Sequence, residues 1–156
     1  MIEIVPARPT HVGPLAKRMR DIDKIECKAF GHSPKGALRH GLLYGDAWSA
    51  LIDGQVEAMF GVVSVDMVQS RGRVWLLMTD KAVSQKRALM RLGARYTEAF
   101  HRHFGILQND VHADNVRAIR WLTRLGYYVG PVDVINGQPM RSFIRCADQQ
   151  PFPPLQ

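Results

Sequence analysis

The chain of 156 residues, 46% of them hydrophobic, is long enough for one domain with a substantial core. Its formal net charge of +7 at pH 7 suits an anionic partner. The sequence has no apolar run of about 18 residues that could span a membrane and no pattern of a secretory signal. We therefore expect a cytoplasmic protein, with Cys27 and Cys146 as reduced thiols and no metal site.

Local patterns in the first half predict a short strand, two helices and three strands. The strand covers residues 2–7, and the first helix begins near Thr10 with an apolar stripe that extends to Ile25. Ser33 caps the second helix, which has Pro34 at its first position. Strands at 48–52 and 56–65 are joined by the turn pair Asp53-Gly54, and a third strand covers 73–78.

The second half alternates helices and strands. A long helix is predicted from about Ser84 to Phe104, followed by a strand over 106–112. The next helix is opened by Asp114 or Asn115 and stopped by Gly126. Two further strands, at 127–134 and 140–146, are joined by Asn136-Gly137.

The resulting order, β-α-α-β-β-β-α-β-α-β-β, contains no linker between domains. It predicts one α/β (α+β) domain over residues 1–147, with a mixed, mostly antiparallel sheet and helices on both faces. The proline-rich residues 148–156 are predicted to form an extended tail.

The segment 111–129 carries the sharpest motif. Its order Asn115-x-x-Ala118-Ile119, then Leu125-Gly126 and an aromatic residue, resembles the last helix of the GNAT superfamily. These proteins are acetyl-CoA-dependent N-acetyltransferases. The element order agrees with the GNAT fold over about residues 2–146. The resemblance implies acetyl-CoA as cofactor and acetyl transfer to an amine on a protein or a small molecule.

The resemblance also locates the cofactor loop. In the family, a glycine-containing loop at a helix N-terminus wraps the pyrophosphate, where free N–H groups and the helix dipole favour phosphate. The equivalent residues 78–89 contain no glycine, so nearby cations would have to substitute for the loop. The cofactor-binding residues implied by this alignment are Met78, Gln85, Lys86, Arg87, Ala88, Asn115 and Ala118.

The general acid of the family is also missing. Leu122 stands where the family often has a tyrosine, and an aliphatic side chain cannot protonate a departing thiolate. Tyr127 and Tyr128 on the next strand are alternatives, whereas Trp121 is expected to pack in the core.

Two carboxylates are the main candidates for a general base. Glu57 lies in a mostly apolar strand, where burial would raise its pKa and suit a base, unless it faces solvent or an ion pair. Glu26 precedes a loop at 29–33 that would edge the acceptor side of a GNAT cleft. Further candidates are Asp66, Asp80 and His32.

The span 81–124 is strongly basic, with nine Lys/Arg against three Asp/Glu. We expect this face to meet an anionic partner. Arginines at helical spacing could contact a nucleic-acid backbone, but no aromatic and basic interleaving accompanies them, so nucleic acid is disfavoured. The two rows are Arg87, Arg91, Arg95 and Arg117, Arg120, Arg124.

Longer phrases look like a narrower group of GNAT-like phage proteins, related to an internal virion protein of short-tailed phages. These phrases lie at residues 4–9, 29–34, 57–62 and 113–122. The resemblance implies a place in the host cytoplasm or the phage particle. It also implies partners among virion proteins, or self-association, which the 150–156 tail could mediate.

Two functions of different class follow. The absent loop glycines and the absent tyrosine favour a virion-associated structural or assembly protein with a degenerate cofactor loop. The alternative is an active acetyl-CoA-dependent N-acetyltransferase.

Overall fold

A computed structural model describes residues 1–148 of the chain. Within that range the strands are β1 (Ile2–Pro6), β2 (Gly45–Ile52), β3 (Gln55–Asp66), β4 (Arg71–Met78), β5 (Ile106–His112), β6 (Tyr128–Ile135) and β7 (Gln138–Cys146). The helices are α1 (Pro9–Arg18), α2 (Asp21–Ala29), α3 (Pro34–Tyr44), α4 (Asp80–Val83), α5 (Lys86–His101) and α6 (Val116–Arg124). Of the tail predicted over residues 148–156, residues 149–156 lie outside the described part of the chain. The segment 150–156, which the sequence suggested as a docking segment, is among them.

The strands form one sheet in the order β1-β2-β3-β4-β5-β7-β6. Every neighbouring pair is antiparallel except β4 with β5, which are parallel. Helices α1, α2 and α3 pack with Met59 and Leu77 on one face, and α5 and α6 pack with Val62 and Leu107 on the other. The predicted mixed, mostly antiparallel sheet with helices on both faces is therefore confirmed.

Three local signals, a turn, a helix cap and a helix stop, form as expected. Asp53 and Gly54 have φ angles of 50° and 84° and join β2 to β3 as a tight hairpin. Asn115 caps α6, because its side chain accepts a hydrogen bond from the N–H of Ala118. Gly126, with a φ of 87°, takes the left-handed conformation that ends this helix.

The predicted first helix is instead two helices, and the break has a tertiary cause. The N–H of Arg20 donates to the carbonyl of Met78 on β4 at 3.0 Å, which takes this residue out of the helical ladder. The helix that follows buries Asp23 and Cys27 and leaves Ile25 39% exposed. The apolar stripe predicted through Ile25 is therefore wrong beyond the break.

The segment between β4 and α5 also differs from the sequence expectation. Residues 80–83 form the short helix α4, which Thr79 caps by accepting from the N–H of Ala82. The long helix then begins at Lys86 rather than near Ser84. Among the described helices, none is long and apolar enough to cross a membrane.

The packing of α3 on the sheet gives a stability prediction. A Cβ at Gly41 would lie 2.3 Å from a ring carbon of Trp75, so Gly41→Ala must displace α3 or the indole. We expect a loss of about 1–3 kcal/mol in the free energy of unfolding, measured by urea denaturation. The matched control is Gly13→Ala in α1, where a Cβ meets nothing within 4 Å and the change should stabilise by up to about 1 kcal/mol. Equal changes in the free energy of unfolding for the two substitutions would contradict the close packing of Gly41 against Trp75.

Candidate functional site

The site begins where β4 and β5 separate. Their ladder covers only three residue pairs, from Arg71 with Ile106 to Arg73 with Gln108. Just beyond the ladder, Nδ2 of Asn109 donates to the carbonyl of Val74 at 2.7 Å. The remaining parts of the two strands diverge, so a wedge opens between them through the sheet.

A cavity of about 530 Å³ occupies this wedge. Residues from both faces of the sheet line it, so it connects the α2–α3 side with the α5–α6 side. On the first side its walls are Glu26, Cys27, Phe30, His32 and Gly41, and on the second they are Lys86, Leu89, Asn115, Ala118 and Trp121. Its size falls within the range of ordinary ligand sites.

Of the further candidate bases, His32 lines the cavity, whereas Asp66 and Asp80 do not. Glu26 is the main candidate that lines it. Its Oε1 atom accepts from the backbone N–H of His112 and from Nδ2 of Asn115, each at 3.0 Å. Burial raises the pKa of Glu26 above its ordinary value, and the nearby Asp23 carboxylate raises it further, although the Asn115 hydrogen bond opposes both. A carboxylate with a raised pKa beside a cavity is suited to accept a proton.

Asp23 lies one turn before Glu26 and also lines the cavity. Its Oδ1 atom accepts from Nη2 of Arg20 at 2.8 Å, and its Oδ2 atom accepts from the N–H of Met78 at 3.0 Å. Burial raises the pKa of Asp23, against the opposing charge of Arg20. Met78 lines the cavity as predicted, but its N–H group is already bound by this carboxylate.

Glu57 does not line the cavity. It is completely buried, where Nη1 of Arg18 donates to Oε1 at 2.8 Å and Thr79 Oγ1 donates to Oε2. Burial alone would raise the pKa of Glu57, but the Thr79 and Arg18 hydrogen bonds and the Arg18 charge outweigh it and hold the pKa below 4.5. Of the two interpretations that the sequence left open, the ion pair is the one that forms, and the pKa of Glu57 is lowered rather than raised. The geometry makes Glu57 the anion of a structural ion pair.

The residues predicted to bind the cofactor fall into two groups. Met78, Lys86, Asn115 and Ala118 line the cavity, whereas Gln85, Arg87 and Ala88 do not. Three arginines that the sequence analysis associated only with an anionic partner also line the cavity. These are Arg117, Arg120 and Arg124, the arginine row of α6. Their helical spacing was visible, but only the fold shows that they face this cavity.

Among residues 1–148, no tyrosine lines the cavity where it could act as a general acid. Leu122 is buried in its wall. Tyr127 lies in the core, where its hydroxyl meets Thr97 Oγ1 at 3.1 Å and burial raises its pKa to about 12. Tyr128 is 66% exposed, and neither tyrosine lines the cavity. Trp121 packs as predicted and donates its Nε1–H to the carbonyl of Leu89 at 3.1 Å.

Comparison with known proteins gives the fold. No family model and no curated protein matches the sequence. A GNAT-family acetyltransferase from Streptococcus pneumoniae matches with a TM-score of 0.64 at 9% identity, covering 94% of this chain and 99% of that one. The chain therefore has the GNAT acetyltransferase fold.

Two other solved structures agree. Aminoglycoside acetyltransferase AAC(6')-Ib, in complex with coenzyme A, matches with a TM-score of 0.66 at 13% identity, covering 94% of this chain and 95% of that one. Spermidine N-acetyltransferase from Vibrio cholerae, in complex with CoA and spermine, matches with a TM-score of 0.68 at 8% identity and the same coverage. These comparisons give no support to the narrower resemblance to phage virion proteins, which stays a prediction.

The Glu57 ion pair gives a pH-dependent prediction. Arg18→Met leaves a buried carboxylate without its cation and should lower the free energy of unfolding by about 1–3 kcal/mol at pH 7. The pKa of Glu57 is lower in the folded chain than in the unfolded chain. The stabilisation that the ionised carboxylate gives to the fold is therefore complete above pH 4.5, and it is lost as the pH falls through the pKa of the folded state.

Urea denaturation at pH 7 and pH 3 checks this prediction. The difference in the free energy of unfolding between wild type and Arg18→Met should be smaller at pH 3 than at pH 7. Lys17→Met, which removes the neighbouring exposed cation of α1, is the control and should have little effect. A difference between wild type and Arg18→Met that does not change with pH would contradict the assignment of Arg18 and Glu57 as an ion pair.

Proposed function

We propose that this protein is an acetyl-CoA-dependent N-acetyltransferase. The observation that carries the proposal is the cavity of about 530 Å³ at the β4–β5 wedge, with cations of α5 and α6 on one side and the Glu26 carboxylate on the other. The GNAT fold supports the same reaction. The neighbours solved with coenzyme A show that other proteins of this fold bind that molecule.

The residues present fit the phosphates of coenzyme A, although the loop has no glycine. Lys86 and the arginine row of α6 line the same side of the cavity. Helix α5 begins beside them, and its N-cap residue Gln85 makes no capping hydrogen bond through its side chain. Guanidinium groups bind phosphate oxygens with strong charge-assisted hydrogen bonds. We infer that these side chains replace the backbone wrap of a glycine loop.

Bound acetyl-CoA would supply a thioester whose carbonyl carbon an amine can attack. Glu26 accepts the proton of the entering ammonium, which leaves a nucleophilic nitrogen beside the wedge. Attack by that nitrogen forms the amide bond and breaks the C–S bond. The nitrogen then loses its second proton, which reaches the leaving thiolate through water because Leu122 cannot donate one.

Direct transfer is favoured over a covalent acyl-enzyme. Cys27 is the cysteine that lines the cavity, and burial raises the pKa of its thiol to about 12, with the nearby Asp23 and Glu26 charges adding to the rise. Such a thiol stays protonated at neutral pH and is a poor nucleophile. The acetyl group therefore passes to the amine in one step.

A virion-associated structural role is the second candidate function. The observations that favour it are the glycine-free segment 78–89 and the aliphatic Leu122 in the cavity wall. The tail through which such a protein would dock lies outside the described residues. Binding of coenzyme A distinguishes the two candidates.

The first test of the proposal is a calorimetric titration with coenzyme A. We expect micromolar binding that Lys86→Ala combined with Arg120→Ala weakens at least about tenfold, because each substitution removes a charge-assisted phosphate contact. The control is Arg87→Ala, which removes an adjacent cation that does not line the cavity and should leave affinity unchanged. No heat at millimolar coenzyme A would contradict the enzyme and favour the structural role.

The second test addresses the base. Glu26→Gln keeps a side-chain oxygen for the hydrogen bonds from His112 and Asn115 but cannot accept a proton. We expect kcat/KM to fall by about 10²–10⁴. In the wild type, kcat/KM should be lost as the pH falls through a pKa above 4.5, since a raised pKa leaves the base protonated below it.

This acid limb should disappear in Glu26→Gln. The matched control is Glu98→Gln on the exposed surface of α5, which should leave the profile unchanged. An unchanged kcat/KM in Glu26→Gln across the pH range would show that another group is the base.

A further inference from the structure

A second cavity, of about 120 Å³, lies between the sheet and helices α5 and α6. Its walls are almost entirely apolar and include Ala58, Phe60, Leu92 and Leu125. Thr97 and Tyr127 also line it, and their hydroxyl groups hydrogen-bond to each other. Such a space holds no polar group that calls for bound water.

The second cavity adjoins the first. Seven residues line both of them, among them Val74 and Leu76 of β4 and Trp121 and Leu122 of α6. Val74 and Leu76 belong to the part of β4 that has left the ladder with β5. The shared wall therefore stands at the wedge, where the thioester of a bound acyl-CoA would lie.

Apolar side chains that line an open space have no packing partners on that side. Native interiors have few voids larger than a water molecule, and side chains around a void lose packing contacts. An apolar ligand group that enters the space restores those contacts. The apolar lining and the wall shared with the proposed thioester site both favour an apolar group that is attached to the thioester.

We propose that the second cavity receives the hydrocarbon chain of the acyl group, so that coenzyme A thioesters longer than acetyl bind more tightly than acetyl-CoA. An apolar cavity of about 150 Å³ holds benzene, with six carbons, so this one has room for about five. The preferred acyl group then has about four to six carbons. This inference rests on the proposed function, because it extends the same acyl site.

The test is a calorimetric binding series with coenzyme A, acetyl-CoA, butyryl-CoA and hexanoyl-CoA. We expect acetyl-CoA to bind about as tightly as coenzyme A, and butyryl-CoA about tenfold more tightly, since it buries two more methylene groups. Butyryl-CoA should also raise the melting temperature more than acetyl-CoA at equal concentration. Equal affinities across the series, or affinities that fall with chain length, would overturn the inference alone. Failure of coenzyme A and of every thioester to bind would overturn the proposed function as well.

A cavity-filling variant separates chain recognition from coenzyme A recognition. Ala58 lines only the second cavity and is buried, so Ala58→Leu should occupy the space. We expect the preference for butyryl-CoA over acetyl-CoA to disappear while coenzyme A affinity is unchanged. A preference that survives Ala58→Leu would overturn the assignment.

Two further variants complete the experiment. Ala99→Leu on α5 is the matched control, because Ala99 lines neither cavity, and it should keep the preference for butyryl-CoA. Ala50→Val adds a smaller group to the second cavity and repeats the test if Ala58→Leu does not fold.

Discussion

The separation of β4 from β5 is the constraint on which the rest of the structure depends. Strands that part inside a sheet leave backbone groups without ladder partners, and buried groups of this kind must be satisfied. Helix α2 supplies two of the partners: Asp23 accepts from Met78 of β4, and Glu26 accepts from His112 of β5. These two carboxylates, one helical turn apart, hold both edges of the wedge. The helix that stabilises the opening therefore also brings the candidate base to it.

The two carboxylates considered as bases show how the partners of a buried carboxylate decide whether burial raises its pKa. Glu57 is the more deeply buried of the two, yet a guanidinium and a hydroxyl hold its pKa down. Burial raises the pKa of Glu26, the Asp23 carboxylate adds to the rise, and the hydrogen bonds from neutral amide groups do not outweigh them. A strongly paired carboxylate stabilises the fold, whereas a carboxylate without a close cation retains the basicity that proton transfer needs.

The described part of the fold was largely predictable, because its elements carry local signals. The Asp53-Gly54 turn, the Asn115 cap and the stop at Gly126 each depend on residues within a few positions of one another. The break after α1 was not predictable. Its cause is a hydrogen bond from Arg20 to Met78, a residue on a distant strand, and no pattern within the helix indicates it.

The candidate site, like the fold, was predictable only where the signals are local. The sequence by itself determined the positions of the strands along the chain, the turn and cap positions, the absence of glycine from residues 78–89 and the residue types available for chemistry. Only the tertiary structure decided that Glu26 lies at the cavity, that Glu57 does not, and that the α6 arginines face the cavity. The physical reason is distance along the chain: Glu26 meets its partners across 86 and 89 residues. Periodicity predicts the face of a helix, but it does not determine what that face meets once the sheet has formed.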